Sequence, residues 1–596
     1  MLLSHTVSIW RVACLLLGLF AALASSDFTL TVLHTNDVHS HFLQTDPYGG
    51  RCKPERKNRC VGGVARHLTL ARKFRREKDH VLFLNAGDYF QGTSWYSVLK
   101  YRPLVDVVKL LHHDAMCLGN HEFDDGPEGL APYLREIRGV IPMLASNANF
   151  SASPALKDLQ VNKSIVLTLG GTTVGIIGAV TPDTKTAARP GNVTFEDDLR
   201  SIRQEAIVLK RAGIKIIIAV THVGYMRDQE IARDIPEVSL VVGGHSHTFL
   251  YTGDDHPKED HPGGDYPTVV SRSDGTKALV VQAYWFGKYM GHIDVTYNDA
   301  GEIKSWSGKP ILLDQSIEED PEMLSALEKY SPNVTAAGGA VVGSSKVILM
   351  ADDALCRKQE CNIGNFITDG FLEFFAGKPS STKGAWSDVN GCILNGGSIR
   401  GSIGQCDSVI RDELLTVTPF GNSLVVVTLT GAHLWDLFEH SVAKYNPKEA
   451  GGEFLQVSGF YVTYDVSQPP MKRVVSVETL CSNCSVPDYE HLDDNKIYKI
   501  VTVSYMYQGG NGYDFSRAVH AEDKSDLDLD VFQDYFTRRS PVQAKIEKRI
   551  KILSASAGVQ DAVNSARMAN TGNTAILLVI GHITVLQLFS ARSSSP

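Results

Sequence analysis

The chain has 596 residues, of which 43% are hydrophobic and 21% are charged, and its formal net charge is -9. This is the composition of an ordinary globular protein, and the lack of an excess of basic residues argues against nucleic-acid binding. A chain of this length exceeds what one hydrophobic core normally serves, so we expect two large domains.

The first segment of the chain has the pattern of a secretory signal peptide. Arg11 precedes the apolar run in "WRVACLLLGLFAALASS", and Ala22 and Ala24 follow in an A-x-A arrangement. A basic residue, a short apolar region and small residues at the cleavage site are the parts of such a signal. We therefore predict a signal peptide over residues 1–26, and export. In an exported chain, N-x-S/T triplets mark possible surface glycans at Asn149, Asn162, Asn192, Asn333 and Asn483.

Five apolar or β-branched runs of the first half end in polar residues. They are "FTLTVLHTND", "HVLFLNAGD", "AMCLGNHEFD", "IKIIIAVTHVG" and "VSLVVGGHSH", and each indicates a buried strand that opens onto a loop. Helical patterns such as "VARHLTLARKFRRE" and "LRSIRQEAIVLKRAG" lie between them, which predicts a layered α/β domain over residues 27–318. Because ligands gather at the strand ends of such sheets, we expect the polar clusters to meet at one rim.

The second half of the chain forms a domain of its own. The segment "EEDPEMLSALEKYSPNVTAAGG" is acidic and helical and then rich in small residues, so we place the linker at residues 319–340. Beyond it, "GCILNGGSIRG", "NSLVVVTLTG" and "YKIVTVSYMYQGGNGY" indicate further strands and turns and do not repeat the first half. We assign residues 341–553 to the second domain.

Residues 554–596 contain a stalk and the apolar run "AILLVIGHITVLQLF" at positions 575–589. The run is shorter than the roughly 20 apolar residues of a membrane-spanning helix. Small residues around Asn564, a polar spacer over 567–574 and this run match a glycosylphosphatidylinositol (GPI) anchor signal, with Ser554 as a second candidate attachment site. We predict a lipid-anchored protein on the outer cell surface, secreted if the signal is not used. A single-span helix and an uncleaved tail are the alternatives.

Cysteine usage agrees with export, since ten cysteines are present and Cys14 leaves with the signal peptide. Four pairs are close enough in sequence for local disulfides: Cys52 with Cys60, Cys356 with Cys361, Cys392 with Cys406, and Cys481 with Cys484. Cys117 then remains in the apolar run "AMCLG", where we expect a buried, inert thiol rather than a reactive one.

The polar clusters together contain the residues of a metal site. They supply Asp37, His39, Asp88, Asn120, His121, His222, His245 and His247. Residues two apart face the same side of a strand, so Asp37 with His39, and His245 with His247, can each bind from one side. A single histidine at a strand end is usually a polar residue with its hydrogen bonds made and no metal-binding role. The occurrence of this whole set at five strand ends is much harder to explain by chance. Imidazole and carboxylate ligands without thiolate suit zinc, manganese or iron better than calcium.

The motifs "DVH", "GD", "GNHE", "TH" and "GGHSH", in this order, resemble the signature of the calcineurin-like metallophosphoesterases. Longer segments, including "LHTNDVHSH", "GGHSHTFLYTG", "CILNGGSIR" and "GEFLQVSG", are similar to the 5'-nucleotidase family within that group. The similarity spans about residues 28 to 550, and the signal peptide and candidate anchor fit the membrane-attached members. The resemblance implies an α/β protein: an N-terminal four-layer α/β/β/α metallophosphoesterase domain and a smaller α/β 5'-nucleotidase C-terminal domain.

The resemblance also implies two divalent metal ions and a catalytic histidine. One metal site would consist of Asp37, His39 and His247, the other of Asn120, His222 and His245, with Asp88 as the bridge. The related membrane nucleotidases carry an amide side chain at the position of His247. His121 matches the family's catalytic histidine, which stabilises the transition state or protonates the leaving oxygen, and Asp124 would orient it. Glu122 is expected to be a solvated or structural carboxylate.

By the same resemblance, the second domain binds the nucleoside. Phe420 in "TPFGN" and Tyr505 in "VSYMYQGGNGY" match the two aromatic positions that sandwich the base. Polar positions for phosphate, base and ribose are matched by Arg357, Asn395 and Arg400, and guanidinium groups suit bidentate phosphate contacts.

Two positions depart from the family pattern. Asn511 replaces the usual Asp of a "GGDG" motif that binds ribose, and its alternative role is to shape the Gly-rich turn. Thr368 replaces a half-cystine of the relatives, so Cys392 would pair with Cys406 instead.

These residues favour hydrolysis of nucleoside 5'-monophosphates, above all AMP, to nucleoside and phosphate. An apyrase acting on ATP and ADP, or a UDP-sugar hydrolase, would use the same scaffold and is the alternative among enzymes. A non-catalytic surface protein that sequesters nucleotides is the alternative from another class, and it would be expected to have lost metal ligands. Similar enzymes form homodimers through the second domain, so a homodimer is a possible assembly.

Overall fold

The computed structural model describes residues 27–380 and 385–553, which fold into two α/β domains. The predicted signal peptide, residues 1–26, and the predicted stalk and anchor signal, residues 554–596, lie outside the described residues. Within the described part of the chain, no helix combines the length and the apolar character needed to cross a lipid bilayer.

The elements of the N-terminal domain alternate between strands and helices along the chain. The strands are β1 (Phe28–Thr35), β2 (Val81–Asn85), β3 (Ala115–Cys117), β4 (Met143–Leu144), β5 (Ala148–Asn149), β6 (Ser164–Leu169), β7 (Thr172–Val180), β8 (Thr194–Phe195), β9 (Ile216–His222), β10 (Leu240–Val242), β11 (Thr268–Ser271), β12 (Lys277–Val281), β13 (Tyr289–Tyr297), β14 (Ile303–Ser307) and β15 (Ile311–Leu312). The helices are α1 (Val64–Glu77), α2 (Ser94–Leu99), α3 (Arg102–Leu111), α4 (Gly126–Ile137), α5 (Thr184–Ala187), α6 (Asp198–Arg211) and α7 (Tyr225–Asp234). The five predicted strands correspond to β1, β2, β3, β9 and β10.

Two mixed sheets pack face to face in this domain. The first has the order β14-β13-β1-β2-β3-β4, with β15 attached to β13, and the second has the order β11-β12-β10-β9-β7-β6. Along β1, Leu30 and Val32 point into the core shared by the two sheets, whereas Leu33 points into a helical layer. Helices α1, α3 and α4 cover the first sheet, and α6 and α7 cover the second. The domain therefore has the four predicted layers, α/β/β/α.

Helix α1 illustrates how the local sequence determines an element. Val64, Leu68 and Ala71 recur at helical spacing and are buried in the core on the outer side of the first sheet. Arg75 and Arg76 lie in the last turn, where cations interact favourably with the helix dipole. The amphipathic pattern thus predicts both the helix and its buried face.

The C-terminal domain is built around a five-stranded sheet. The strands are β16 (Val341–Ser345), β17 (Gly391–Asn395), β18 (Cys406–Ile410), β19 (Ser423–Thr430), β20 (Leu455–Ser458), β21 (Phe460–Asp465), β22 (Val474–Leu480), β23 (Tyr489–His491), β24 (Ile497–Val503), β25 (His520–Leu527) and β26 (Ile550–Leu553). After the linker helices α8 (Pro321–Glu328) and α9 (Ser331–Gly338), the helices are α10 (Asp353–Cys356), α11 (Asn362–Ala376), α12 (Arg411–Val417), α13 (Gly431–Ser441), α14 (Ser504–Tyr507) and α15 (Asp528–Arg539). The central sheet has the order β20-β17-β24-β19-β25, and β23-β22-β21-β26 forms a second sheet.

The linker is helical and packs on both domains. Helix α8 begins after Asp320, whose Oδ1 accepts the backbone N–H of Glu322 (3.0 Å) and of Met323 (3.2 Å), as an N-cap residue does. Met323 is buried in the core of the N-terminal domain. Helix α9 contacts α2 of the first domain and α12 of the second. The two domains are therefore held together by packed helices as well as by the chain itself.

Three of the four predicted cysteine pairs are disulfides in the structure: Cys52–Cys60, Cys356–Cys361 and Cys481–Cys484. The predicted pairing of Cys392 with Cys406 is wrong, since both are free thiols. Cys392 lies within β17, where it is hydrogen-bonded into the central sheet, whereas Cys406 begins β18 in a separate two-stranded sheet. The two cysteines are close in sequence, but strand pairing places them in different sheets, so their thiols do not meet. Cys117 is buried as predicted, and burial raises the pKa of its thiol.

Candidate active site

The carboxyl ends of β1, β2, β3, β9 and β10 bring the predicted metal ligands together. The first three strands are parallel neighbours in one sheet, and the last two are parallel neighbours in the other. The residues that follow or end these strands are Asp37, His39, Asp88, Asn120, His222, His245 and His247, and all are buried except His245, which is half-buried. The expected meeting of the polar clusters is therefore present, while the role of each residue as a ligand stays a prediction.

The first group consists of Asp37, His39 and His247. Nε2 of His39 lies 3.1 Å from Nε2 of His247. Oδ1 of Asp37 lies 3.2 Å from Nε2 of His247 and 3.8 Å from Nε2 of His39. Three potential ligand atoms, one from each side chain, therefore face a single point.

The second group consists of Asn120, His222 and His245. Oδ1 of Asn120 lies 2.9 Å from Nδ1 of His245 and 3.2 Å from Nε2 of His222. Asp88 stands between the two groups, because its Oδ2 is 3.0 Å from Nε2 of His222 and 3.7 Å from Nε2 of His39. This is the position that a bridging ligand would require.

Acceptors outside the cluster orient two of the histidine rings. Nδ1 of His39 donates to the carbonyl oxygen of Phe90 (3.1 Å), and Nδ1 of His222 donates to that of Ala86 (2.6 Å). Because a carbonyl oxygen can only accept, each Nδ1 carries the proton and each Nε2 presents a lone pair to the cluster. Such lone pairs, with two carboxylates and an amide oxygen, form a suitable donor set for two divalent cations. The residues therefore fit the dimetal centre.

The backbone of these loops is held in unusual conformations. Five of the seven predicted ligands have φ in the left-handed region: Asp37 (49°), His39 (47°), Asp88 (57°), His245 (77°) and His247 (50°). Residues other than glycine adopt this region rarely, and typically where the surrounding structure enforces it at a functional site. Gly119 makes room for one of these loops, since a Cβ atom there would lie 2.1 Å from Oδ1 of Asp88.

Glu122 is a structural carboxylate that ties two of the loops together. Its Oε1 accepts the backbone N–H groups of Tyr89 (2.8 Å) and Phe90 (3.1 Å). Its Oε2 accepts those of Asp88 (3.1 Å) and Gly119 (2.6 Å). Burial and the charge of Asp88 raise the pKa of Glu122 to about 7. Of its two expected roles, solvated or structural, the structural one is correct.

His121 faces the cleft with its ring oriented by Asp124. Nδ1 of His121 lies 2.7 Å from Oδ2 of Asp124, and Nε2 lies 4.0 Å from Oδ2 of Asp88. The backbone N–H of His121 donates to Oδ1 of Asp88 (2.9 Å), which fixes the residue relative to the metal-ligand cluster. A carboxylate accepts the Nδ1 proton, so Nε2 is the ring nitrogen available to a substrate. The geometry is that of an oriented acid–base histidine.

A cleft of about 640 Å³ extends from the cluster to the C-terminal domain. Its lining includes Asn120, His121, Asp124 and His245 from the first domain, and Arg357, Asn395, Arg400, Phe420, Tyr505 and Asn511 from the second. All six predicted substrate residues therefore share one cavity with the predicted catalytic residues. The volume lies in the range of sites that enclose small organic ligands.

The two predicted base-binding aromatics lie in the walls of this cleft. The ring of Phe420 stacks on that of His121 with 5.9 Å between centroids, and it lies 6.0 Å from the guanidinium carbon of Arg400. The hydroxyl of Tyr505 accepts the backbone N–H of Asn511 (3.2 Å). Both rings are half-buried, so each keeps some surface for a ligand.

Asn511 lies in the Gly-rich turn, where its φ of 52° is a left-handed conformation that Asn tolerates. Its Oδ1 accepts Nδ2 of Asn395 (2.8 Å), and Oγ of Ser398 donates to Oδ1 of Asn395 (2.6 Å). Asn511 therefore offers its NH₂ group, rather than its oxygen, to a further partner. The structure is compatible with both predicted roles, ribose binding and shaping of the turn.

Arg357 and Arg400 bring positive charge from the C-terminal domain to the cluster. Nη2 of Arg400 lies 2.9 Å from Nε2 of His39. Nε of Arg357 lies 2.7 Å from Oδ1 of Asp353, and Oδ2 of Asp353 lies 2.5 Å from Nδ1 of His247. Both arginines are buried, and burial lowers the pKa of Arg400. Two guanidinium groups beside a metal-ligand cluster are suited to a phosphate.

Two buried carboxylates of the site, Asp353 and Glu122, carry no specific role that the sequence patterns predict. Glu122 binds backbone groups 32 to 34 residues earlier in the chain, and no local pattern indicates this contact. Asp353 does carry a local signal, because it stands four residues before Arg357, a spacing at which opposite charges meet on a helix.

Two packed sheets with carboxylates and imidazoles at their strand ends, facing a second α/β domain across a cleft, define a two-domain metallophosphoesterase. The family model described as calcineurin-like phosphoesterase matches residues 30–249. The model described as 5'-nucleotidase, C-terminal domain, matches residues 341–517.

Relatives match across both domains. The chain is 39% identical to the 5'-nucleotidase of Bos taurus, and the match covers 91% of this chain and 94% of the relative. It is 36% identical to the apyrase of Tabanus yao, and that match covers 88% of this chain and 94% of the relative. The crystal structure of a 5'-nucleotidase precursor from Thermus thermophilus is similar with a TM-score of 0.79 and 36% identity, over 88% of this chain and 99% of that chain. The chain belongs to the 5'-nucleotidase family of calcineurin-like phosphoesterases. It is a phosphoric monoester hydrolase acting on nucleotides, which argues against the alternative of a non-catalytic binding protein.

Proposed function

We propose that the protein is an extracellular 5'-nucleotidase that hydrolyses AMP and similar nucleoside 5'-monophosphates to nucleoside and phosphate. The cleft is the observation that carries this proposal, because it joins Phe420 and Tyr505 to His121 and the metal-ligand cluster. A substrate with an aromatic base at one end and a phosphate at the other would contact both parts of the cleft.

The metal centre would contain two divalent ions. Zinc is the preferred metal, and manganese and iron are the alternatives. One ion would be held by the Asp37 group, the other by the Asn120 group, and Asp88 would contact both. Imidazole, carboxylate and amide donors without thiolate support this choice. When bound, such ions act as Lewis acids and lower the pKa of a water, which is the chemistry required to displace a phosphate ester.

His121 would act on the leaving oxygen of the ester. With Nδ1 held by Asp124 at 2.7 Å, a protonated imidazole keeps its Nε2–H directed into the cleft, where it can donate to that oxygen. Arg357 and Arg400 would bind the phosphate and offset its charge by hydrogen bonds from their guanidinium groups. Each of these groups lines the cleft.

A phosphate-release panel with AMP, ADP, ATP and UDP-glucose tests the proposal. We expect the highest kcat/KM for AMP, loss of activity with a chelator, and recovery with added zinc. The His121→Ala variant, purified in parallel, corrects for contaminating phosphatases. A higher kcat/KM for ADP or ATP would contradict the proposal and identify an apyrase, and one for UDP-glucose would identify a UDP-sugar hydrolase.

The apyrase alternative has support of its own. The relative from Tabanus yao carries that name, and the cleft is also lined by the cationic side chains Lys185 and Arg189, which could meet further phosphates. We favour the monophosphate because the predicted signal peptide and anchor match the membrane-attached nucleotidases.

Removing either aromatic side chain of the cleft should weaken nucleotide binding. Stacking is worth roughly 1 to 3 kcal/mol per base, and about 1.4 kcal/mol corresponds to one decade of affinity. We therefore expect Phe420→Ala and Tyr505→Ala each to raise KM for AMP about tenfold or more. Hydrolysis of a small aryl phosphate, which has no base, serves as the control and should change much less. Equal losses on both substrates would refute base stacking.

We further propose that residues after Asn564 or Ser554 are exchanged for a lipid anchor. Phosphatidylinositol-specific phospholipase C should then release the activity from intact cells, and the released protein should lack the C-terminal apolar run. Mass spectrometry that finds Ser595 and Pro596 on the mature protein would contradict this. Light scattering of the released protein tests whether it forms the homodimer that similar enzymes form.

A further inference from the structure

One carboxylate of the C-terminal domain reaches into the metal-ligand cluster of the N-terminal domain. Oδ2 of Asp353, at the start of α10, lies 2.5 Å from Nδ1 of His247, and both side chains are almost completely buried, with exposures of 11% and 3%. On the opposite side of the ring, Nε2 of His247 faces Oδ1 of Asp37 at 3.2 Å and Nε2 of His39 at 3.1 Å.

This geometry determines which nitrogen of His247 can bind a metal. Oδ2 of Asp353 and Nδ1 of His247 form a close ion-pair contact that lacks the angles of a hydrogen bond. A negative charge this close stabilises a proton on Nδ1, and Nε2 is the nitrogen that faces the predicted ligands Asp37 and His39, so its lone pair points into the cluster. Histidine ligands of metals commonly donate their second nitrogen to such a carboxylate, which fixes the ring and raises its basicity. His39 and His222 have backbone carbonyls in that role, from Phe90 and Ala86 of their own domain. The partner of His247 instead carries a full charge and comes from the other domain.

The same carboxylate also holds an arginine. Oδ1 of Asp353 lies 2.7 Å from Nε of Arg357, which lines the cleft. Arg357 is attached to the Cys356–Cys361 disulfide loop, so the carboxylate is anchored to a constrained part of the second domain. Asp353 therefore lies between a candidate metal ligand and a candidate phosphate-binding side chain, with one oxygen directed to each.

We propose that Asp353 is a positioning residue that completes a carboxylate–histidine–metal arrangement across the domain boundary, making metal binding at the Asp37–His39–His247 group dependent on the C-terminal domain. The proposal rests on the proposed dimetal function. It concerns one of the two ions, because Asp353 contacts His247, whereas the side chains of the Asn120–His222–His245 group contact one another and Asp88.

Zinc binding to the purified mature protein tests the proposal independently of turnover. Zinc content is measured by mass spectrometry of the metal, and affinity by competition with a chromophoric chelator. Loss of an outer partner of a metal ligand typically lowers affinity about 10- to 100-fold. We expect Asp353→Ala to do this for one of the two ions, so that the zinc content after dialysis falls from two ions per chain towards one. Asp353→Asn keeps an acceptor oxygen without the charge and should show a smaller decrease.

A double-mutant cycle separates positioning from a general structural role. His247→Gln supplies an amide oxygen but no second ring nitrogen for Asp353 to hold. In that background, Asp353→Ala should cause no further loss of zinc affinity. Asp407→Ala removes an exposed carboxylate of the same domain and should leave zinc affinity unchanged. Circular dichroism and thermal midpoints establish that the variants are folded, and Asp353→Asn remains a test should Asp353→Ala fail to fold.

The outcomes distinguish this proposal from the proposed function. A wild-type chain that binds two zinc ions and hydrolyses AMP, with zinc affinity unaltered by both Asp353 variants, would overturn the role of Asp353 and leave the nucleotidase intact. An equal loss of affinity from Asp353→Ala in the wild-type chain and in the His247→Gln background would also overturn it. A wild-type chain that binds no metal would overturn the dimetal function itself.

Discussion

Replacing His121 by alanine is expected to lower kcat for AMP by about 10²- to 10⁴-fold, the usual contribution of a positioned acid or base group. The ring faces the cleft, its Nδ1 is 2.7 Å from Asp124, and its Nε2 is 4.0 Å from Asp88. Alanine removes the proton donor without removing any of the seven predicted metal ligands. The measurement is steady-state phosphate release from AMP, combined with zinc content.

Zinc content of the His121→Ala variant should stay near that of the wild-type chain. His491→Ala, which changes a histidine with an 81% exposed side chain, is the matched control and should leave kcat unaltered. Asp124→Asn weakens the acceptor for Nδ1 and should give a smaller loss than His121→Ala. A His121→Ala variant with near wild-type turnover would show that proton donation lies elsewhere.

Replacing Glu122 by alanine should destabilise the N-terminal domain and abolish most activity. Its two oxygens accept four backbone N–H groups, two of them from Asp88 and Gly119. Each buried donor left without a partner costs about 1 to 3 kcal/mol. We expect a total of at least about 4 kcal/mol, which for a domain of this size lowers the melting midpoint by roughly 6 to 12 °C. Differential scanning calorimetry and zinc content measure the effect, since a displaced Asp88 should also lose metal.

Glu122→Gln keeps one acceptor oxygen and turns an NH₂ group towards the remaining donors, so an intermediate loss is expected. Glu128→Ala, at an exposed position of α4, is the control and should change the midpoint little. If Glu122→Ala melts at the wild-type temperature and retains its zinc, the backbone contacts of Glu122 do not hold the loops.

The sequence was most informative where a property depends on neighbours along the chain. The apolar spacing in Val64–Glu77 predicts that helix and its buried face, and the runs before Asp37, Asp88 and His222 predict the strands that carry these residues. Three disulfides followed from short separations. The motif resemblance also predicted that residues far apart in sequence, such as His121 and Phe420, belong to one site, and both line the cleft.

Other features depend on the distance between strands and domains, which a local pattern does not contain. Cys392 and Cys406 are near in sequence but belong to different sheets, so the predicted pairing failed. Only the structure shows that Oδ1 of Asn511 accepts a hydrogen bond from Asn395, which leaves the NH₂ group of Asn511 facing the cleft.

By itself, the sequence determined the layered α/β architecture, the set of imidazoles and carboxylates at the strand ends, and the two-domain organisation. Only the tertiary structure decided how these groups are held. Glu122 accepts hydrogen bonds from the backbone N–H groups of another loop, and Asp353 contacts His247 from the other domain. The physical reason is that periodicity and turn residues are set by short-range sterics and burial, whereas the hydrogen-bond partner of a buried charge is set by whichever group the completed fold places within about 3 Å.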